Sequence, residues 1–222
     1  MPTRRRFVRV LGAGAAAATA GCLGGGGASG GGDRGGEGGN GSGSESTARG
    51  DGAGGSPGTP AGGGGSLALA SSAFGDGDSI PRRFTCAGEN VSPPLSLSGV
   101  PDGAGALAFV VDDPDAPGKT PYVHWLLWNV PADVTSLPEG VPTGKTVDSL
   151  GGAKQGTNSG GTVGYGGPCP PRGDGPHTYR FTCHALDSPL DLAAGAKRPA
   201  LDDAMAGPAV TSTTLTATFE RK

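Results

Sequence analysis

Residues 164–179 read Gly164-Tyr-Gly-Gly-Pro-Cys-Pro-Pro-Arg-Gly-Asp-Gly-Pro-His177-Thr-Tyr179. A stretch this rich in Gly and Pro cannot be helix or central strand, so it is a loop. Its glycines let the backbone come close to a ligand, and successive N–H groups in such turns can form an anion-binding nest. The loop delivers a His and a Tyr to a strand start. From Thr178 to Leu186 the residues alternate, with Tyr179, Phe181 and Cys183 on one face and Thr182 and His184 on the other. Taken alone, the loop is a turn like many others.

Working outward, Leu107–Val111 is a continuous apolar run that reads as a buried strand, and Tyr122–Val130 has strand composition. A period of two places His124, Leu126, Trp128 and Val130 on one face. Thr211–Glu220 alternates Thr with Leu215, Ala217 and Phe219, a half-buried strand. A short helix is expected at Leu201–Ala206, after Pro199. Strands at fairly even intervals between Gly/Pro turns predict a mainly β fold, a sandwich with few short helices. Asp112-Asp113-Pro-Asp115-Ala-Pro117 follows the apolar run directly. A carboxylate there closes an Asx-type turn, orients a histidine or holds a metal, and the turn is the plainer reading. A single strand histidine such as His124 is more often a satisfied core residue than a ligand.

Together these segments resemble the phosphatidylethanolamine-binding protein family, in its YbhB/YbcL-like (Raf kinase inhibitor-like) bacterial and archaeal branch. The resemblance rests on Asp113-Pro-Asp-Ala-Pro117, His124-Trp125 with Asn129-Val-Pro131, Gly164–Tyr179 with Phe181 and Ala185-Leu-Asp187, and Ile80–Pro94. It covers about Leu69 to Arg221. It implies a Greek-key β-sandwich with a shallow pocket at one end for phosphate, a phosphate-ester head group or a similar small anion. It places Asp113, Asp115, His124, Pro170, Pro171, His177 and Tyr179 at that pocket. Histidines beside a carboxylate are then expected to become imidazolium and bind the anion together with loop N–H groups. Two departures stand out: Thr178 where many members carry Arg, and Gly207-Pro-Ala where many show Gly-His. The resemblance also implies a Cys86–Cys169 disulfide, leaving Cys183 as a buried thiol. Relatives regulate kinases or inhibit proteases, so a protein partner of that kind is an expectation, though fold alone is a weak ground for function. No cofactor or metal is expected. The alternative is a hydrolase using Asp113, His124 and His177 as an acid–base set or a metal site, but no nucleophile-elbow motif accompanies them.

The N-terminal third has another character. Arg4-Arg5 followed by Phe7 resembles a twin-arginine export signal, and Val10–Gly21 is a weakly apolar segment too short to span a bilayer. It ends Thr19-Ala20-Gly21-Cys22, which resembles a lipobox with Cys22 as the lipidated residue. From Leu23 to Ser66 there are 22 glycines and almost no large apolar side chains, a composition that cannot offset its ordering entropy. The expected organisation is a signal peptide at 1–21, a disordered linker at 22–66 and one domain at 67–222. As a flexible coil the linker would reach about 33–40 Å. The expected location is the outer face of the cell membrane, held by lipid on Cys22. Without residues 1–21 the chain has 13 basic and 20 acidic residues, a balance of −7, and no basic stripe, which argues against nucleic-acid binding.

Overall fold

A computed structural model describes residues 66–222. The export signal, Cys22 and the Gly/Ser segment up to residue 65 lie outside the described residues. Among the described residues nine strands form two antiparallel sheets. The small sheet has the order β1-β2-β5, from Ala68–Ala70, Leu95–Ser98 and Ser136–Leu137. The large sheet has the order β6-β7-β4-β3-β8-β9. Its strands are β3 (Ala106–Asp113), β4 (Tyr122–Pro131), β6 (Thr146–Val147), β7 (Ala153–Gln155), β8 (His177–Leu186) and β9 (Ala209–Phe219). Strands β8-β3-β4-β7 put the fourth in sequence beside the first, the Greek-key arrangement.

The apolar run forms β3 because both faces of that strand are covered. Leu107, Phe109 and Val111 face the small sheet, with Leu69, Leu95, Leu97 and Leu137 in the same core. Ala106, Ala108 and Val110 face the other way, in a second core with Leu201 and Met205. Those two residues lie one turn apart on α1 (Arg198–Met205), so the helix buries a single stripe. Pro199 sits in its first turn, where a missing N–H costs nothing. The expected alternations of β8 and β9 hold: Tyr179, Phe181, Cys183, Leu215, Ala217 and Phe219 all enter the inter-sheet core.

Strand β4 departs from its expected period. Val111 pairs with Trp125 but Asp112 pairs with Val123, and Leu107 pairs with Val130 but Ala108 pairs with Trp128. His124 and Asn129 are therefore extra residues, each a bulge. Only Leu126 and Trp128 stay on the helix side, while Val130 moves to the inter-sheet core. Asn129 takes φ 59°, and its side chain clamps both the N–H and the C=O of Leu190. A period of two is a property of one strand; a bulge is a property of the pair.

Cys86 and Cys169 are joined, with Cα atoms 5.4 Å apart. Cys183 is a free, buried thiol whose pKa burial pushes up to about 12.

Candidate functional site

At one end of the sandwich lies a cavity of about 440 Å³. The loop of 164–179 forms one wall, and the ends of β3, β4 and β8 form the floor. Asp113, His124, Pro170, Pro171 and His177 all line it.

Successive strand residues point to opposite faces, so Asp112 and Asp113 serve different neighbourhoods. Asp113 is buried, and its two oxygens have separate tasks. Oδ1 accepts the N–H groups of Asp115 and Ala116 at 2.8 and 3.0 Å, closing the expected Asx turn. Oδ2 accepts from His177 Nδ1 at 2.8 Å, so the same carboxylate also orients a histidine. His177 Nε2 lies 3.4 Å from the exposed carboxylate of Asp174. Burial alone would lower the His177 pKa, but the bond and charge of Asp113, with those of Asp174, outweigh it and raise the value.

His124 behaves differently. Its Nδ1–H donates to the carbonyl of Gly166 at 2.6 Å, which fixes the tautomer and leaves Nε2 as the remaining polar atom. Burial is the largest influence on it and lowers its pKa, against the Gly166 bond and the two aspartates. The two rings are therefore pushed in opposite directions, His177 toward imidazolium and His124, desolvated without a carboxylate of its own, away from it. In a histidine NMR titration, His177 should titrate above and His124 below the ordinary value of about 6.5. Asp113→Asn should bring His177 down while leaving His124 depressed.

The loop holds its shape through contacts with the protein. Tyr165 donates its hydroxyl to the Phe84 carbonyl at 2.8 Å and meets Trp125 edge-on. Gly167 N–H donates to Asn90 Oδ1, and a Cβ there would lie 2.5 Å from the Phe84 oxygen. The N–H groups of Gly164 and Gly166 go to the carbonyls of Gly156 and His124. Pro168, Pro170 and Pro171 have none to give. Gly164, Gly166 and Gly167 thus spend their donors on the protein itself, and Gly167 also gives its lack of a side chain to the neighbouring 84–90 segment.

Asp115 and Tyr179 stand outside the lining. Asp115 is exposed and accepts the N–H of Thr178 at 2.7 Å, tying the turn after β3 to the start of β8. Tyr179 is fully buried behind His124, ring centroids 5.3 Å apart. Its hydroxyl has no well-formed hydrogen bond among the described residues. Burial first, and then the nearby Asp113 charge, raise its pKa. Sequence reading passed over Tyr122, Asn158 and Asp174. Tyr122, half exposed at the rim with its ring 5.0 Å from His124, was legible only as a strand residue. Asn158 bonds Gly164 O and Thr162 N, fixing the two sides of the wall to each other. Among the described residues no group of three His, Cys, Asp or Glu is placed to hold a metal ion.

The family model described as "Phosphatidylethanolamine-binding protein" matches residues 70–220. A UPF0098 protein of Pyrococcus horikoshii is 45% identical over 152 residues, covering 68% of this chain and 76% of the relative. LppC, a candidate lipoprotein of Mycobacterium tuberculosis, is 45% identical over 164 residues, covering 73% and 76%. Among solved structures, Escherichia coli YbcL, described as a new member of the mammalian PEBP family, superposes with a TM-score of 0.66. It is 32% identical, with 71% of this chain and 100% of that one covered.

Proposed function

Since this chain belongs to the phosphatidylethanolamine-binding protein family, we propose that its domain is a binding module whose pocket receives a small anion or a phosphate-ester head group. The observation that carries this reading is the pair of buried histidines in one cavity, one hydrogen-bonded to Asp113 and one with a single ring nitrogen left over. Asp113, His124, Pro170, Pro171 and His177 form the site; Asp115 and Tyr179 support it from outside the lining.

No Lys or Arg lines the cavity among the described residues, in keeping with Thr178 in place of Arg. Positive charge for an anion has to come from imidazolium. His177, whose pKa is raised, is the readier source of that charge, partly spent on Asp113. An anion arriving beside His124 favours its protonated form, so binding takes up a proton and tightens as pH falls. Charge-assisted N–H bonds to the anion offset its desolvation.

Calorimetric titration with inorganic phosphate and with glycerophosphoethanolamine, at pH 6 and pH 8, tests the reading. Wild type should bind more tightly at the lower pH. The His124→Ala/His177→Ala double variant should bind at least about tenfold more weakly, from the loss of charge-assisted bonds. Equal phosphate affinity in the double variant would sink the proposal.

The same reading makes the protein a lipoprotein. Arg4-Arg5, the segment to Cys22 and the Gly/Ser stretch are the sequence support, and the relative LppC carries a lipoprotein name. The folded domain then stands off the outer membrane face on a spacer at 22–66. Mass spectrometry of the N-terminal peptide from native membranes should find Cys22 carrying lipid.

A further inference from the structure

A protonated His177 has two ring N–H groups, and both face a carboxylate. Nδ1–H donates to Asp113 Oδ2 at 2.8 Å, inside the protein. Nε2–H faces Asp174 Oδ2 at 3.4 Å. Only 5% of the His177 side chain is exposed, against 48% of Asp174. An anion that bonds His177 therefore has one donor to take, Nε2–H, and a carboxylate of the same chain already stands on it.

The two carboxylates are not held alike. Asp113 is buried and also accepts two turn amides, so leaving its place would cost those bonds as well. Asp174 has no other side-chain partner among the described residues, and its contact is longer than the about 2.7–2.9 Å of a well-formed charge-assisted bond. It ends the turn Pro171–Asp174, which is closed by a single N–H···O bond of 3.4 Å. Gly173 and Gly175 beside it take φ 82° and 84°, and a Cβ on either would meet nothing within 4 Å. At Gly167, in the packed wall, a Cβ would meet backbone. Asp174 can thus swing into water while the wall stays in place.

Charge gives that swing its consequence. One imidazolium between two carboxylates leaves the cluster negative, and no Lys or Arg lines the cavity among the described residues. A phosphate entering while Asp174 is seated meets that negative charge and finds no free donor on His177. With Asp174 out in solvent, the remaining His177–Asp113 pair is neutral and Nε2–H is open.

Resting on the reading of the cavity as an anion site, we propose that Asp174 is its built-in competitor, a carboxylate that occupies the ligand's place on His177 Nε2 and that phosphate or a phosphate ester must displace. In the empty pocket the competitor keeps the ring oriented. It lowers the affinity of every anion that uses Nε2 by the strength of its own contact, and leaves untouched one that reaches His124 alone.

Calorimetric titration of the full chain with inorganic phosphate at pH 6, where Asp113 still favours the charged ring, tests this. Asp174→Asn and Asp174→Ala should each bind phosphate about fivefold more tightly than wild type, the weight of one half-exposed ion pair. Asp187→Asn removes the same charge just beyond the far end of β8 and should leave the affinity unchanged. Near-UV circular dichroism checks the fold of each variant. If the His124→Ala/His177→Ala variant loses phosphate but the Asp174 variants bind no better than wild type, the anion site stands and the competitor is refuted. Weaker binding by the Asp174 variants refutes it too, since it would make the contact a support for the site. If neither wild type nor the Asp174 variants bind phosphate, the competitor falls together with the anion site.

Discussion

Replacing Cys86 and Cys169 together by serine is expected to lower the unfolding free energy by about 2–5 kcal/mol. The bond spans a sequence separation of 83 residues, and closing a loop of that length removes much of the freedom of the unfolded chain. Between its two ends lie strands β2 to β7, so the cross-link restrains most of the domain. The pocket should suffer less than the stability. Its loop keeps the Tyr165 bond to Phe84, the Gly167 bond to Asn90, and the Cys86 N–H bond to Pro168 O, none of which needs sulfur. Urea unfolding of the double variant against the oxidised wild type measures the loss, and a change in slope as well as midpoint would report the freed denatured state. A variant within about 0.5 kcal/mol of wild type, the range of ordinary surface substitutions, would show that the bond adds nothing to the native fold.

Asp113→Ala should be the costliest substitution in the pocket. It removes three acceptor contacts from a buried position, two to turn amides and one to His177. Breaking one side of a buried charge pair costs on the order of 3–5 kcal/mol, because the other charge is left behind. His177 can shed its proton, which places the real cost toward the lower end. The pH dependence identifies the cause. The folded-state pKa of His177 is raised, so its contribution is complete below the unfolded value of about 6.5 and fades as pH rises through the folded value. His124 runs oppositely: its folded pKa is lowered, so it costs stability as pH falls through 6.5. In Asp113→Ala the His177 contribution is gone, so the gain in stability that wild type shows as pH falls from the raised His177 value to about 6.5 should disappear, while the His124 loss below 6.5 remains. Chemical denaturation at pH 5, 6.5 and 8 separates the two histidines. An unchanged pH profile would mean that Asp113 serves the turn alone.

How legible was this in the residues? The run Leu107–Val111 announced a strand buried on both faces, and β3 is one. The alternations from Tyr179 and from Thr211 reported the inward faces of β8 and β9. Asp113, His124 and His177 were drawn together by resemblance of their motifs, since no spacing rule connects positions 113, 124 and 177. Asp112 stayed silent, although it holds Arg180 and Arg198 beside the helix through three charge-assisted bonds. Its partners come from β8 and α1, far away in the chain.

What the residues determined by themselves are the short-range properties: which runs are strands and which stretch must turn. These follow from neighbours in the chain, through sterics and side-chain period. What only the tertiary structure decided depends on a strand's partner. The bulge at His124 exists because β4 has one more residue than β3 between two pairings, and it breaks the alternation that would have placed His124 with Leu126 and Trp128. The loop of 164–179 was read as a cradle for a ligand. The amides of Gly164, Gly166 and Gly167 instead bond to the protein, the last because the 84–90 segment lies within hydrogen-bonding reach. The two histidines look alike in sequence, yet their pKa values are pushed in opposite directions. One is packed against a carboxylate and the other against a carbonyl, a difference made entirely by what the fold sets beside each ring.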